Sequence, residues 1–280
     1  MEFVLILTGF FLFIASLWDL KSREVPDWLS FSLIAVGLGS SVLYALIFAD
    51  WRILAYSVLG FLACWALGLL MFYSGQWGGG DAKLVMGLGS VLGLSWQGFP
   101  ILVTFLLLTM VVGALYGLVY GFFLMAKHWA LFKKGLKEFM ASPKVVMGRR
   151  LVLVLALFLI VSALWLPFTL RFLMWSFVVL GLIGYYLVLA MKVLEKTCLI
   201  KELPVSKLTE GDWIFKDVRV QGKRICGPKD LGISFKQIAQ LKKWRVKQVW
   251  VKEGIPFVPS FFFAYILTLW KSAWFLSWFF

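Results

Sequence analysis

Two carboxylates stand where apolar segments give way to polar turns: Asp19 in WDLKSREVPD and Asp81 in QWGGGDAK. A charged side chain at the end of an apolar membrane helix is costly to desolvate, so both ask for a reason. Brought close, two carboxylates cannot both ionise cheaply and tend to share one proton. The ionised member can then take a proton from water as it attacks an amide carbon. The protonated member can polarise the carbonyl and later supply a proton to the leaving nitrogen. Gly78, Gly79 and Gly80 leave bare backbone beside Asp81, which suits an extended peptide lying against it. This residue set predicts aspartyl-type peptide cleavage at a membrane surface.

Each carboxylate also has a plainer reading. Asp19 can be an interfacial residue reaching water, and Asp81 can cap a helix after a glycine turn. Asp27 follows Pro26 and is placed to cap the second helix, Glu24 to be solvated in the same turn, and Asp50 and Arg52 to share an opposite turn. The rest of the inventory narrows the chemistry. His128 is the one histidine, so neither an HExxH zinc site nor a Ser-His hydrolase has its parts. Cys64, Cys198 and Cys226 form no CxxC pair and suggest no disulfide framework. The two-aspartate mechanism needs no metal and no cofactor.

The elements that must position these residues are membrane helices. With 62% hydrophobic residues and 15% charged, the chain is too apolar for a soluble domain of 280 residues. Apolar runs cover 2–18, 28–49, 52–74, 82–95, 99–126, 151–166, 168–191 and 257–279, which predicts about eight transmembrane helices. The first run has Glu2 where a signal peptide carries positive charge, and no small-residue cleavage site comes after it. Segments 19–27, 75–83, 127–150 and 192–256 hold 25 of the 28 Lys and Arg. By the positive-inside rule these segments are cytoplasmic and the amino terminus is outside. Helices 2 and 3 then run out and back, so Asp19 and Asp81 reach the same membrane face. The net charge of +14 is mostly this orientation bias, with no nucleic-acid partner implied.

Residues 1–126 read as a membrane core carrying both aspartates, followed by a basic connection at 127–150 that lies on anionic lipid. Two further helices occupy 151–191, and 257–280 is a last membrane helix. Between them, 192–256 carries 15 basic and 7 acidic residues and reads as a small cytoplasmic α+β domain. Its expected parts are a hairpin within 213–225 around a Gln-Gly turn, a capping box from Ser234 to Gln237, and a strand at 246–252. Gly113, Gly117 and Gly121 repeat at helical spacing as a small-residue face for close helix packing. The fold class is therefore an all-α polytopic membrane protein with a small α+β appendage.

At the two aspartates the sequence resembles the type IV prepilin peptidases, and most closely their archaeal preflagellin and prepilin peptidase branch. Asp19 followed by Val25-Pro26 matches the first family motif. Gly78, Gly79, Gly80 and Asp81 match GxGD, with Lys83 fitting a D-x-K continuation. The resemblance covers about residues 1–126 and implies a six-helix-type GxGD core. It implies removal of short basic leader peptides, usually after a glycine, from prepilin or preflagellin precursors on the cytoplasmic side. Asp19 and Asp81 would be the catalytic pair, the Gly78–Gly80 run would shape the approach, and Lys83 would tune the site. Many bacterial relatives also carry a four-cysteine domain and methylate the new amino terminus. This chain lacks that cysteine set, which predicts peptidase activity alone. The tail and eighth helix exceed the family core. Two other classes fit parts of the pattern: a presenilin-like protease cutting within a substrate helix, and an ion-coupled transporter with acids beside a broken glycine segment. The Asp19-to-Pro26 motif speaks against the first, and the lack of an inverted repeat against the second.

Overall fold

The computed structural model describes residues 2–96, 100–230 and 232–279, with the side chains of 271–279 excepted. Residues 1, 97–99, 231 and 280, which fall within the expected ranges above, lie outside the described residues, and so does the side chain of Lys271. The chain is mostly helical: α1 (Glu2–Ser22), α2 (Asp27–Ile47), α3 (Trp51–Tyr73), α4 (Gly79–Leu92), α5 (Ile101–Lys127), α6 (Trp129–Met140), α7 (Pro143–Ser162), α8 (Phe168–Thr197), α9 (Phe235–Lys243) and α10 (Val258–Phe279).

Each expected apolar run forms a helix, and among the described residues six helices are long and apolar enough to cross a membrane: α1, α2, α3, α5, α7 with the short turn after it, and α8. At 14 residues, α4 is about 21 Å long at the α-helical rise, short of the ~30 Å hydrocarbon core. It stops at Gly93, whose φ of 62° ends the helix. The described apolar part of α10, Val258–Trp270, is also short. Among the described residues, length and composition therefore support six spans, and the expected count of about eight would also need α4 and α10 to cross. The basic connection also divides differently from the expectation. Pro143 opens α7, as its fixed φ favours at a first helical position. Lys144, Arg149 and Arg150 thus belong to a long helix, and only α6 remains as a separate short one.

Glycine governs the tightest packing, though not the glycines singled out from the sequence. α4 lies against α2 and α3, with glycines at the points of closest approach. A Cβ on Gly60 would come 2.2 Å from the Gly89 carbonyl, and one on Gly37 would come 2.1 Å from Ser90 Oγ. Inside a bilayer apolar burial does not drive helices together, so close backbone approach of this kind supplies the attraction. Gly113 serves otherwise: it forms a notch for the Phe257 ring, whose Cζ would lie 2.5 Å from an added Cβ. Gly121 faces the Met191 thioether, and Gly117 faces open space. Gly113 and Gly121 therefore receive side chains, and none of the three positions meets a second helix backbone.

α10 packs between α1 and α5, with the Tyr265 hydroxyl donating to the Leu5 carbonyl at 2.9 Å. Leu12, Leu29, Leu33, Cys64, Leu88, Phe105 and Phe261 belong to one buried cluster drawn from α1–α5 and α10. α8 instead joins α5 and α6 around Phe132, Val193 and Leu194.

The strand-containing region holds β1 (Ile200–Pro204), β2 (Trp213–Ile214), β3 (Val218–Val220), β4 (Lys223–Cys226) and β5 (Gln248–Lys252). β1, β5 and β2 form an antiparallel sheet in that order, and β3 pairs with β4. The hairpin turn is Gln221-Gly222, both at positive φ (50° and 79°), which suits the twist of paired strands. Trp213 and Ile214 leave that hairpin to pair with β5, because Ile214 is buried in the region's core beside Val249 and Val251. α9 opens on the expected capping box, with the Ser234 N–H donating to Gln237 Oε1 at 2.8 Å.

Candidate functional site

Both motif aspartates lie at one end of the helix bundle. Asp19 sits in the last turn of α1 and is only 4% exposed. Asp81 sits in the first turn of α4, half-buried. α1 and α4 touch, and the two carboxylates are close enough for their charges to act on each other. The polypeptide between them runs away and returns through α2 and α3, so the even number of crossings is what brings them to one end.

Local chemistry explains where each is held. Asp81 occupies the third position of α4, and its Oδ2 accepts the Gly78 N–H at 3.0 Å. The first N–H groups of a helix lack intrahelical partners, and a carboxylate there satisfies one and suits the positive end of the helix dipole. The capping reading of Asp81 is thus realised, and it leaves Oδ1 outside that bond. Asp19 has a partner far away in sequence. Its Oδ2 accepts the Val258 N–H at 2.9 Å, and the Phe257 N–H is directed at the same carboxylate. Arg23 and Tyr116 are within electrostatic reach of Asp19.

The glycine run has a more specific role than open backbone. A Cβ on Gly80 would meet Val25 Cβ at 3.0 Å and the Val25 N at 3.2 Å. The aliphatic residue of the first motif therefore packs against the second motif, locking the α1–α2 turn onto the start of α4. None of Gly78, Gly79 and Gly80 has a positive φ, so the demand at Gly80 is for space and not for a special backbone angle. A Cβ on Gly78 would sit 3.4 Å from Asp81 Oδ2, and one on Gly79 has Phe72 at 3.8 Å.

Lys83 and Asp27 form an ion pair at 2.6 Å. Asp27 makes no side-chain cap at the start of α2, where Pro26 occupies the N-cap position. The capping role expected for Asp27 gives way to this pair, because Lys83 lies one turn from the start of α4 and reaches across to α2. Lys83 Nζ also lies 5.5 Å from the Phe31 ring centroid. It consequently ties α4 to α2 beside the aspartates. Glu24, expected to be solvated, accepts the Thr209 hydroxyl at 2.5 Å. Asp50 caps α3 through the Arg52 N–H at 3.0 Å.

Residues that the sequence pattern did not single out complete the surroundings. Arg23 pairs with Glu253 at 2.5 Å, and Glu253 also binds Lys201 at 2.7 Å. Trp77, just before the glycine run, packs its ring on Phe257 and Phe261 at centroid distances of 6.2 and 5.4 Å. Trp213 of β2 lies under Gly75, whose φ is +71°. The strand-containing region and the start of α10 thus contact the same end of the bundle as the aspartates. Pro256 and Pro259, where the strand-containing region gives way to α10, are the trace of this return in the sequence; the partner on Asp19 leaves none.

Residues 6–118 match the type IV leader peptidase family. The matched segment contains Asp19, the Val25-Pro26 pair, Gly78–Gly80, Asp81 and Lys83, and ends within α5. The preflagellin peptidase of Methanocaldococcus jannaschii is 43% identical over 81 residues, covering 29% of this chain and 34% of the relative. That of Methanococcus maripaludis is 40% identical over 81 residues, covering 29% and 35%. In each case this chain spans about a third of the relative's length. α6 to α10 and strands β1 to β5 lie beyond the matched segment.

Proposed function

We propose that the protein is a membrane aspartyl endopeptidase that removes short basic leader peptides from prepilin or preflagellin precursors. Asp19 and Asp81 activate water between them and act on the scissile carbonyl and leaving nitrogen in turn. The observation that carries this reading is their meeting at one end of the bundle from two separate motifs, within a segment matching the type IV leader peptidase family. The names of the archaeal relatives support the substrate class.

On this reading α1–α5 and α10 form the six-helix core, and α7 and α8 are additional spans. Residues 192–256 form a cytoplasmic domain, and α6 lies on the inner lipid surface. Both aspartates face the cytoplasm. The precursor's apolar helix stays in the bilayer and presents its leader junction at the interface beside Gly78–Gly80. Lys83 holds α4 in place through Asp27. The activity is cleavage without methylation.

The deciding experiment is to incubate purified protein with a preflagellin-type precursor and read the product's amino terminus by mass spectrometry. A single cut at the junction of basic leader and apolar helix is expected. A cut inside the apolar helix would favour the presenilin-like reading, and an uncut precursor with proton-coupled uptake in proteoliposomes would favour a transporter.

A further inference from the structure

The start of α10 lies outside the matched family segment, yet it is bonded to the most buried carboxylate of the site. Four contacts hold it there. The Val258 N–H donates to Asp19 Oδ2 at 2.9 Å. The Phe257 ring fills the notch left by Gly113 on α5. Phe257 and Phe261 both pack on Trp77, next to the glycine run of the second motif. Four residues on from Asp19, Arg23 binds Glu253 at 2.5 Å and faces the Gly254 carbonyl at 3.4 Å. Segment 253–258 therefore runs alongside the end of α1, fastened at both ends, and its aromatic side chains reach the second motif.

Resting on the endopeptidase reading above, we propose that the α10 N-terminus is a third component of the site, with the backbone N–H of Val258 as the positioning group for Asp19. A carboxylate turns freely about its last side-chain bond unless an oxygen is held. Fixing Oδ2 on Val258 sets the direction in which the other oxygen, Oδ1, meets water and Asp81. The donor suits the task because the first N–H groups of a helix have no internal partner, and the dipole of α10 favours a carboxylate at that end. Pre-positioned groups of this kind raise turnover without strengthening substrate binding. Phe257 in its notch and Trp77 against it set the depth of the helix start. The Arg23–Glu253 pair sets its direction.

Val258→Pro tests this, because it removes one N–H and leaves the helix start intact. Proline is well tolerated at a first helical position. It disfavours helical backbone at the residue before it, but Phe257 lies outside α10, at the N-cap position, where non-helical backbone is the rule. The conservative partner is Val258→Ala, which loses the buried side chain and keeps the donor. The expected result is a fall in kcat of at least about tenfold for Val258→Pro with KM within about twofold. Val258→Ala should rescue turnover to within about threefold of the parent. Independently of catalysis, amide hydrogen exchange at Val258 should accelerate in Asp19→Ala and not in Asp81→Ala, since no intrahelical acceptor protects that amide. Equal turnover by the proline and alanine variants, or exchange at Val258 indifferent to Asp19→Ala, would overturn the proposal. Failure of the parent protein to cleave any precursor counts against the endopeptidase reading alone, and the exchange experiment still decides the contact.

Discussion

At the scale of single residues, the proposed chemistry rests on proton exchange at two carboxylates and on one glycine that has no room to grow. Asp19→Asn and Asp81→Asn keep the shape and the capacity to accept the Val258 and Gly78 N–H groups, but neither amide can exchange the needed proton. Each should abolish precursor cleavage while membrane insertion and thermal unfolding in detergent stay close to the parent. Near-normal turnover by either would sink the dyad. Gly80 is the steric test. Leucine there would be driven into Val25, prising the α1–α2 turn from the start of α4 and so separating the two motifs. Gly80→Leu should lose most activity. The matched control is Gly117→Ala, since a Cβ at Gly117 has nothing within 4 Å, and its specific activity should be unchanged. Gly113 would be a poor control because its Cβ would strike Phe257. Equal rates for the Gly80→Leu and Gly117→Ala proteins would remove the Val25 contact from the argument.

At the scale of elements, the least obvious helix does the most positioning. α4 is too short to span a bilayer and presents Gly87 and Gly89 to its neighbours. Its place between α2 and α3 is fixed by backbone contact, which is why Asp81 at its first turn has a defined position. Gly60→Ala pushes a methyl group against the Gly89 carbonyl. It should cost about 1–3 kcal/mol of stability, read as a lower unfolding temperature in detergent, with activity lost before global unfolding as α4 shifts. An unfolding temperature equal to the parent's would mean that the α3–α4 contact yields without cost. The sequence made α1 to α5 legible through apolar runs and charged turns. It made the hairpin legible through Gln221-Gly222 and α9 through Ser234 and Gln237. It misassigned the close-packing glycines because a regular four-residue spacing at 113, 117 and 121 looks like a helix-packing face, whereas Gly60 and Gly89 belong to different helices with no local pattern. β1 was missed for a related reason: its partner β5 lies some fifty residues away, and pairing over that distance leaves little local trace. The contact between Asp19 and Val258 is the extreme case, since a backbone N–H has no sequence signature at all.

At the scale of the whole molecule, one end of the bundle gathers the ends of α1 and α3, the starts of α2, α4 and α10, and the strand-containing region. Contacts of Asp19 with Val258, Lys83 with Asp27, Glu24 with Thr209 and Gly75 with Trp213 define that end. The same end carries most of the Lys and Arg, which argues for a cytoplasmic position by the positive-inside rule. The rule matters for function as well as orientation. On the proposed reading, a precursor whose basic leader precedes an apolar helix is held by the same bias, so its leader junction and the two aspartates would come to one interface without either crossing the membrane. The orientation can be checked with single cysteines at Lys21, Gln76 and Lys216 in a background lacking Cys64, Cys198 and Cys226. In intact cells, a membrane-impermeant thiol reagent should leave all three unlabelled and react with a cysteine at Arg52, which lies at the opposite end beside the N-cap of α3. After permeabilisation Lys21, Gln76 and Lys216 should label as well. Opposite sidedness for Lys21 and Gln76 would contradict the shared end on which the dyad depends. Labelling of all three from outside would preserve the dyad but turn it away from the compartment where a leader peptide is held, and the proposed substrate would go with it.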